Sequence, residues 1–426
     1  MKTRMKDMRS LRSAPARGAR RFPAVLIAVA LLAVSGVLAR DPRSVFTSVS
    51  SDLNDAKKKS VAEHPIQFVT SWSFDGFGAP LAGDLSASDQ MVVGTDTHGR
   101  MAAVDGRDGH ALWSAELGAG ATVGPFLDGN AVYQATDDGM LNALRASDGS
   151  TLWHSPVGAA PAAPPVRIGV RLLQATREPA LVSFNPATGE EVGRRPLPGQ
   201  PLLPVRAALK HATGAVVVTD HGMVLLLDTA TLEVIWRHYV RQAVTAPPLV
   251  IAHHVYLATA DHALRCLKLS SGRPTWTQRM GSKVTAKLLE RDGMIYALCF
   301  DNDIYVIDER HGHLVTRVAL DHRLAQDAAL AATRIYVAPY TAASLVGLEL
   351  PGLAEAGRFQ LEAEGEWFTT SPVVSAERVA LGWGRDSGRV IGLEVKDAPK
   401  PKGGGAGTKP QPPASAAKPS ALPPKP

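Results

Sequence analysis

The chain has 426 residues, 45% hydrophobic and 20% charged, with 38 Gly and 31 Pro, a composition that fits a turn-dense folded protein and excludes a wholly disordered one. Its formal charge of +6 belongs to the ends: residues 1–22 supply +7 and residues 396–426 supply +5, so the body carries −6. That balance argues against the concentrated basic face that nucleic-acid binding requires.

Residues 1–22 carry eight Lys/Arg against Asp7, and residues 23–39, PAVLIAVALLAVSGVLA, have no charge. A cationic leader followed by an apolar segment is an export signal. Val37 and Ala39 form the small-residue pattern of a signal-peptidase site, which favours cleavage. The long basic leader favours retention as a membrane-anchor helix, for which 17 apolar residues are at the short end. Either outcome keeps the leader cytoplasmic and exports the rest. No Cys follows the apolar run, so lipid attachment of the lipoprotein type is not expected. Residues 40–65 are polar, lack strand alternation and read as a tether.

From residue 66 a pattern repeats about every 40 residues. VVGTDTHGRMAAVDGRDGHALW, ending at Trp113, is followed by VYQATDDGMLNALRASDGSTLW, ending at Trp153. Trp72, Trp236 and Trp276 hold the same place in other copies, while Gly193, Thr316 and Gly357 hold it where the tryptophan is missing. The spacings from Trp72 to Gly357 are 41, 40, 40, 43, 40, 40 and 41. Short apolar runs between Gly and Asp turns specify strands of roughly four to seven residues. Four strands per period predict an all-β fold, a β-propeller of four-stranded blades.

Eight units open near Pro80, Pro125, Pro165, Pro204, Pro248, Lys287, Asp327 and Pro372. The last runs out of ordered sequence before an outer strand, whereas IQFVTSWSF at residues 66–74 is an outer-type strand with no unit before it. The N-terminal strand is therefore expected to complete the eighth blade, closing a propeller over residues 66–395 and leaving no large open edge. Beyond it, residues 396–426 collapse to Pro, Lys, Ala and Gly and predict a disordered tail.

The five tryptophans Trp72, Trp113, Trp153, Trp236 and Trp276 are expected to dock each blade on the next, as broad buried rings. Asp105, Asn185, Asp228 and Asp308 recur two places beyond the small strand residue and are expected to hold turns. Cys266 and Cys299 fit no metal or CxxC spacing and read as buried side chains on different strands, with a lone disulfide as the alternative. His98, His221 and His262 are expected at equivalent turns, and His253–His254 and His311/His313 are the tightest histidine groupings. Glu362, Glu364 and Glu366 alternate on a strand or loop, a solvated face or an acidic contact patch. No nucleotide loop, hydrolase elbow or zinc spacing appears, so no catalytic, cofactor or metal residue is assigned.

The motif A-x-D-x-x-x-G-x-x-x-W, here Ala103, Asp105, Gly109 and Trp113, resembles the tryptophan-docking repeat of pyrroloquinoline-quinone-type propellers. It returns as Ala143, Gly149 and Trp153, as Asn185 and Gly189, as Gly272 and Trp276, and as Asp308 and Gly312. Among exported eight-bladed members, the chain resembles the propeller subunits of the outer-membrane β-barrel assembly machinery. That resemblance implies a non-catalytic periplasmic scaffold that binds envelope proteins, including barrel-assembly components. The enzymatic alternative is a quinone-dependent oxidoreductase holding pyrroloquinoline quinone with calcium on the propeller axis. Its family places an adjacent cysteine pair over the cofactor, whereas Cys266 and Cys299 are 33 positions apart. A tethered sensor or adhesion module is a third reading.

Overall fold

Each repeat converts its Gly and Asp turns into tight connections and its apolar runs into strands, and the computed structural model shows the result over residues 62–398, apart from 202–205, 209–213, 340–341, 364 and 376. The leader 1–22, the signal or anchor segment 23–39, the tether up to 61, the opening at Pro204, Glu364 and the tail beyond 398 lie outside the described residues. Among the described residues, no helix is long and apolar enough to cross a membrane.

The strands form eight four-stranded antiparallel sheets. Blade 1 holds β2 (Ser86–Ala87), β3 (Met91–Thr95), β4 (Arg100–Asp105) and β5 (Ala111–Glu116), ordered from the inside out. Blades 2 to 7 repeat that order and end on the outer strands β9 (Thr151–Pro156), β13 (Glu191–Pro196), β17 (Val234–Tyr239), β21 (Pro274–Arg279), β25 (Leu314–Ala319) and β29 (Ala354–Gln360). Blade 8 takes β30 (Val373–Ser375), β31 (Arg378–Trp383) and β32 (Arg389–Asp397) from the end of the fold, and β1 (Ile66–Phe74) from its beginning. The β1 strand pairs antiparallel with β32 from Ile66 opposite Asp397 to Phe74 opposite Val390. The propeller thus closes at eight blades with the N-terminal strand as its last edge.

Burial follows strand position. Middle strands such as β3 and β4 are buried on both faces, because each blade is packed between two others, while β5 and β9 alternate exposed and buried residues. The buried side chains fall into eight clusters, one at each junction between consecutive blades. The cluster joining the last blade to the first holds Trp72 and Val390 with Val92 and Ala102. Closure is therefore made by apolar packing as well as by strand pairing.

Two boundaries differ from expectation. The strand β32 runs through Lys396 and Asp397, two residues into the segment assigned to the tail, because β1 supplies their pairing partners. The first blade opens at Ser86, six residues after Pro80. Pro80 lies in the connection from blade 8, where its carbonyl accepts the Thr97 N–H at 2.8 Å. Gln200 and Ala243 do the same for Asp220 and Ala260 in later copies.

Candidate protein-binding surface

The register explains the tryptophans. Ala103, Ala143, Leu226 and Cys266 lie directly opposite Trp113, Trp153, Trp236 and Trp276, each followed by a bulge in the pairing. Trp72 has the same relation to Gly392. Where the ring is missing, Ser183, Val306 and Gly347 face Gly193, Thr316 and Gly357. The bulge turns each indole toward the next blade, where it covers the turn glycine of that blade. A Cβ added at Gly109, Gly149, Gly189, Gly272 or Gly312 would stand 2.5–2.6 Å from the indole of Trp72, Trp113, Trp153, Trp236 or Trp276, respectively. These glycines also sit at φ between 66° and 73°, so the close approach requires glycine and the backbone favours it.

Four of the indoles also donate across the junction: Trp72, Trp113, Trp153 and Trp236 Nε1 to the carbonyls of Gly106, Ala146, Pro186 and Leu269, at 3.3, 2.7, 3.0 and 2.6 Å. Trp276 Nε1 is buried without a partner. The corresponding carbonyl, Glu309 O, instead accepts from the Tyr256 hydroxyl at 3.3 Å.

At the three junctions without tryptophan, the partner position changes too. Leu232 and Leu353 occupy the turn-glycine places of blades 4 and 7 at φ 58° and 57°, and their N–H groups bond to Asp228 and Glu349 as that of Gly109 bonds to Asp105. Leu232 comes within 3.6 Å of a Cβ built on Gly193, and Ile66 within 2.8 Å of one built on Gly357. A large ring against glycine is thus exchanged for a small residue against a branched aliphatic one. This exchange was legible in principle, since Leu232 and Leu353 stand where the repeat carries glycine.

The recurring Asp and Asn residues hold turns. Asp105, Asn185, Asp228 and Asp308 accept the N–H of Arg107, Ala187, Ala230 and His311 at 2.7–3.0 Å. His98 and His221 precede a turn glycine, but His262 is one place further on than expected and occupies the glycine position itself, at φ 59°. Among the described residues, no three His, Cys, Asp or Glu side chains converge as a metal-ligand set. Cys266 and Cys299 are free thiols in the core between blades 5 and 6, both pushed to higher pKa chiefly by burial. They do not form the adjacent pair of the quinone enzymes. Glu362 and Glu366 lie in the loop between blades 7 and 8, where Glu366 accepts the Arg385 N–H at 2.9 Å and Arg385 lies over Trp367.

One ion pair has a predictable pH signature. Arg265 grips the Asp261 carboxylate at 2.6 and 2.8 Å, holding that carboxyl well below the usual range, while burial acts against it and the Thr259 hydroxyl adds to it. A depressed carboxyl contributes stability that is complete above its unfolded value near 4 and fades as the pH falls through the folded value. Burial pushes Asp303 the opposite way, partly offset by Arg317 at 2.7 Å. We therefore expect Asp261→Asn to lose about 1 kcal/mol at pH 7, and the gap from the parent to narrow between pH 5 and pH 2. Urea titrations at four pH values check this; a gap that stays constant with pH contradicts it.

Surface chemistry concentrates on the rim. The outer strands of blades 1 to 7 each leave one backbone edge unpaired within their sheet. Leu112, Leu152, Val192, Ile235 and Val315 project from five of these edges, each one place before the tryptophan position, with 41–55% of their surface exposed. Exposed apolar side chains beside a free backbone edge are of the kind sheets use to add a strand from another chain, and here they alternate with charged residues such as Arg194, Arg237 and Arg317. Between blades 3 and 4 the rim also opens into a cleft of about 610 Å³, bordered by β13 and β17.

The comparisons agree with this architecture. The crystal structure of BamB from Moraxella catarrhalis superposes with a TM-score of 0.60 at 17% identity, covering 77% of this chain and 98% of that one. The computationally designed Ika8 protein gives 0.63 at 16% identity, with coverages of 76% and 99%. Quinohemoprotein alcohol dehydrogenase from Comamonas testosteroni gives 0.60 at 12% identity, covering 76% of each chain. At these identities the likeness is one of fold. No curated relative matches significantly. The family model described as outer membrane protein assembly factor BamB matches residues 69–201 and 177–297, more than half the chain. By that match, the chain belongs to the BamB family of pyrroloquinoline-quinone-type β-propellers.

Proposed function

We propose that this propeller is a non-catalytic scaffold of the bacterial envelope that binds protein segments along its rim and serves the assembly of outer-membrane or other exported proteins. The carrying observation is the ring of free outer-strand edges that present apolar side chains at one register in five blades. Edge pairing supplies sequence-tolerant backbone hydrogen bonds and the apolar positions supply selectivity, which suits a protein that handles many β-rich clients. Membership of the BamB family supports this reading, and the leader supports export to the periplasm, anchored or released.

The quinone-dependent reading makes a measurable claim. Reconstitution of the purified protein with pyrroloquinoline quinone and calcium is expected to yield no stoichiometric chromophore and no dye-linked alcohol or sugar oxidation. Stoichiometric quinone binding with turnover would overturn the scaffold reading.

A further inference from the structure

The junction between blades 3 and 4 differs from the five at which an indole covers a turn glycine. Gly193 stands at the tryptophan place with no side chain, and Leu232 reaches toward it from the turn below. Leu232 is buried with Leu173, Leu225 and Leu227 in the core of this junction. Beside this junction a cleft of about 610 Å³ has Leu197, Met223, Leu225 and Ile235 among its apolar lining, with Arg195 and Arg237 on opposite strands. Both arginines lack an ion-pair partner among the described residues. By contrast, Arg194, Arg317 and Arg358 on outer strands are paired with Glu191, Asp303 and Glu355.

We infer that this cleft is a selective docking site for an extended, acidic and apolar segment of a partner protein. The inference rests on the scaffold reading and specifies its client chemistry. An extended segment lying along the free edges of β13 and β17 sets alternate apolar side chains into the cleft. Carboxylates beside them meet two guanidiniums that already lack counter-charges, so the pairing gains charge-assisted hydrogen bonds without breaking existing ones. The chain's own segments fit less well. The lysine-rich tail carries the wrong charge, and in the acidic loop before blade 8 Glu366 and Trp367 are already engaged by Arg385.

The test is fluorescence anisotropy of a labelled (Glu-Val)5 peptide against the purified full chain, with (Lys-Val)5 as comparison. The acidic peptide is expected to bind and the basic one not. Arg195→Glu with Arg237→Glu is expected to weaken binding at least tenfold. Ile235→Trp enlarges a half-exposed side chain of the lining, and is expected to fill the cleft, weaken binding to the same degree and leave the unfolding midpoint unchanged. Failure of the acidic peptide to bind, equal binding of the basic peptide, or undiminished binding to either variant overturns the inference. Self-association by sedimentation that both variants abolish also overturns it, by placing a second copy in the cleft. Partner proteins still crosslinked by the filled-cleft variant in intact envelopes would remove the cleft while leaving the scaffold reading standing.

Discussion

Trp113→Ala is expected to destabilise the propeller by about 3–5 kcal/mol in urea unfolding, the range for removing a large buried aromatic side chain. The indole is 8% exposed, covers Gly149 of the next blade and donates to Ala146 O at 2.7 Å. Truncation therefore leaves a cavity at a blade junction and a carbonyl without its donor. Phenylalanine substitutions separate the two contributions. Trp113→Phe retains most of the ring but loses the hydrogen bond, whereas Trp276→Phe has no such bond to lose, because Trp276 Nε1 has no partner. Trp113→Phe is accordingly expected to cost about 1 kcal/mol more than Trp276→Phe. Equal costs, or a loss below 1 kcal/mol for Trp113→Ala, would show that these rings are not what couples neighbouring blades.

Removal of residues 1–74 is expected to abolish cooperative unfolding altogether. The deletion takes away β1 and with it eight register pairs on β32, together with the buried Ile66, Phe68 and Trp72. Those side chains contribute to two of the eight junction clusters, on both sides of blade 8. The exposed β32 edge would carry Ile391, Leu393 and Val395 without a partner strand, an aggregation-prone arrangement. Adding a peptide of residues 62–76 is expected to restore part of the native circular-dichroism signal. A truncated protein that stays monomeric and melts cooperatively near the parent midpoint would contradict closure by the N-terminal strand.

The ring was legible in the sequence because propeller architecture is written in period and turn chemistry. Trp72 at the head of the fold and the unfinished unit ending at Val395 together specify the closing strand, and the pairing of Ile66 with Asp397 places it there. Sequence and structure part where one residue type replaces another at a turn. His262 stands in the glycine place itself, with the positive φ the turn demands, so no glycine marks its register. Pro80 resembles the prolines that open several other units, but its carbonyl serves the connection from the preceding blade.

The candidate site was less legible, for a physical reason. Gly193 is visible in the sequence as a missing tryptophan, yet the cleft is lined by Arg195 and Leu197 on one blade and by Met223, Leu225 and Ile235 on the next, and its charge depends on which arginines lack counter-ions. Period and composition carry no information about that three-dimensional balance. The same holds for the exposed residues Leu112, Leu152 and Ile235: alternation marks them as facing away from the buried tryptophan, but only the sheet order shows that their strands have free edges.

The most direct measurement of the scaffold function is site-specific photocrosslinking in intact envelopes from Leu152 and Ile235 on the rim, with His98 at a turn between β3 and β4 as control and identification of the captured peptides by mass spectrometry. A protein-binding rim predicts capture of outer-membrane assembly components or β-rich exported proteins from Leu152 and Ile235, well above the control. Crosslinks no stronger at the rim than at His98, with no recurrent envelope protein among them, would contradict the scaffold function.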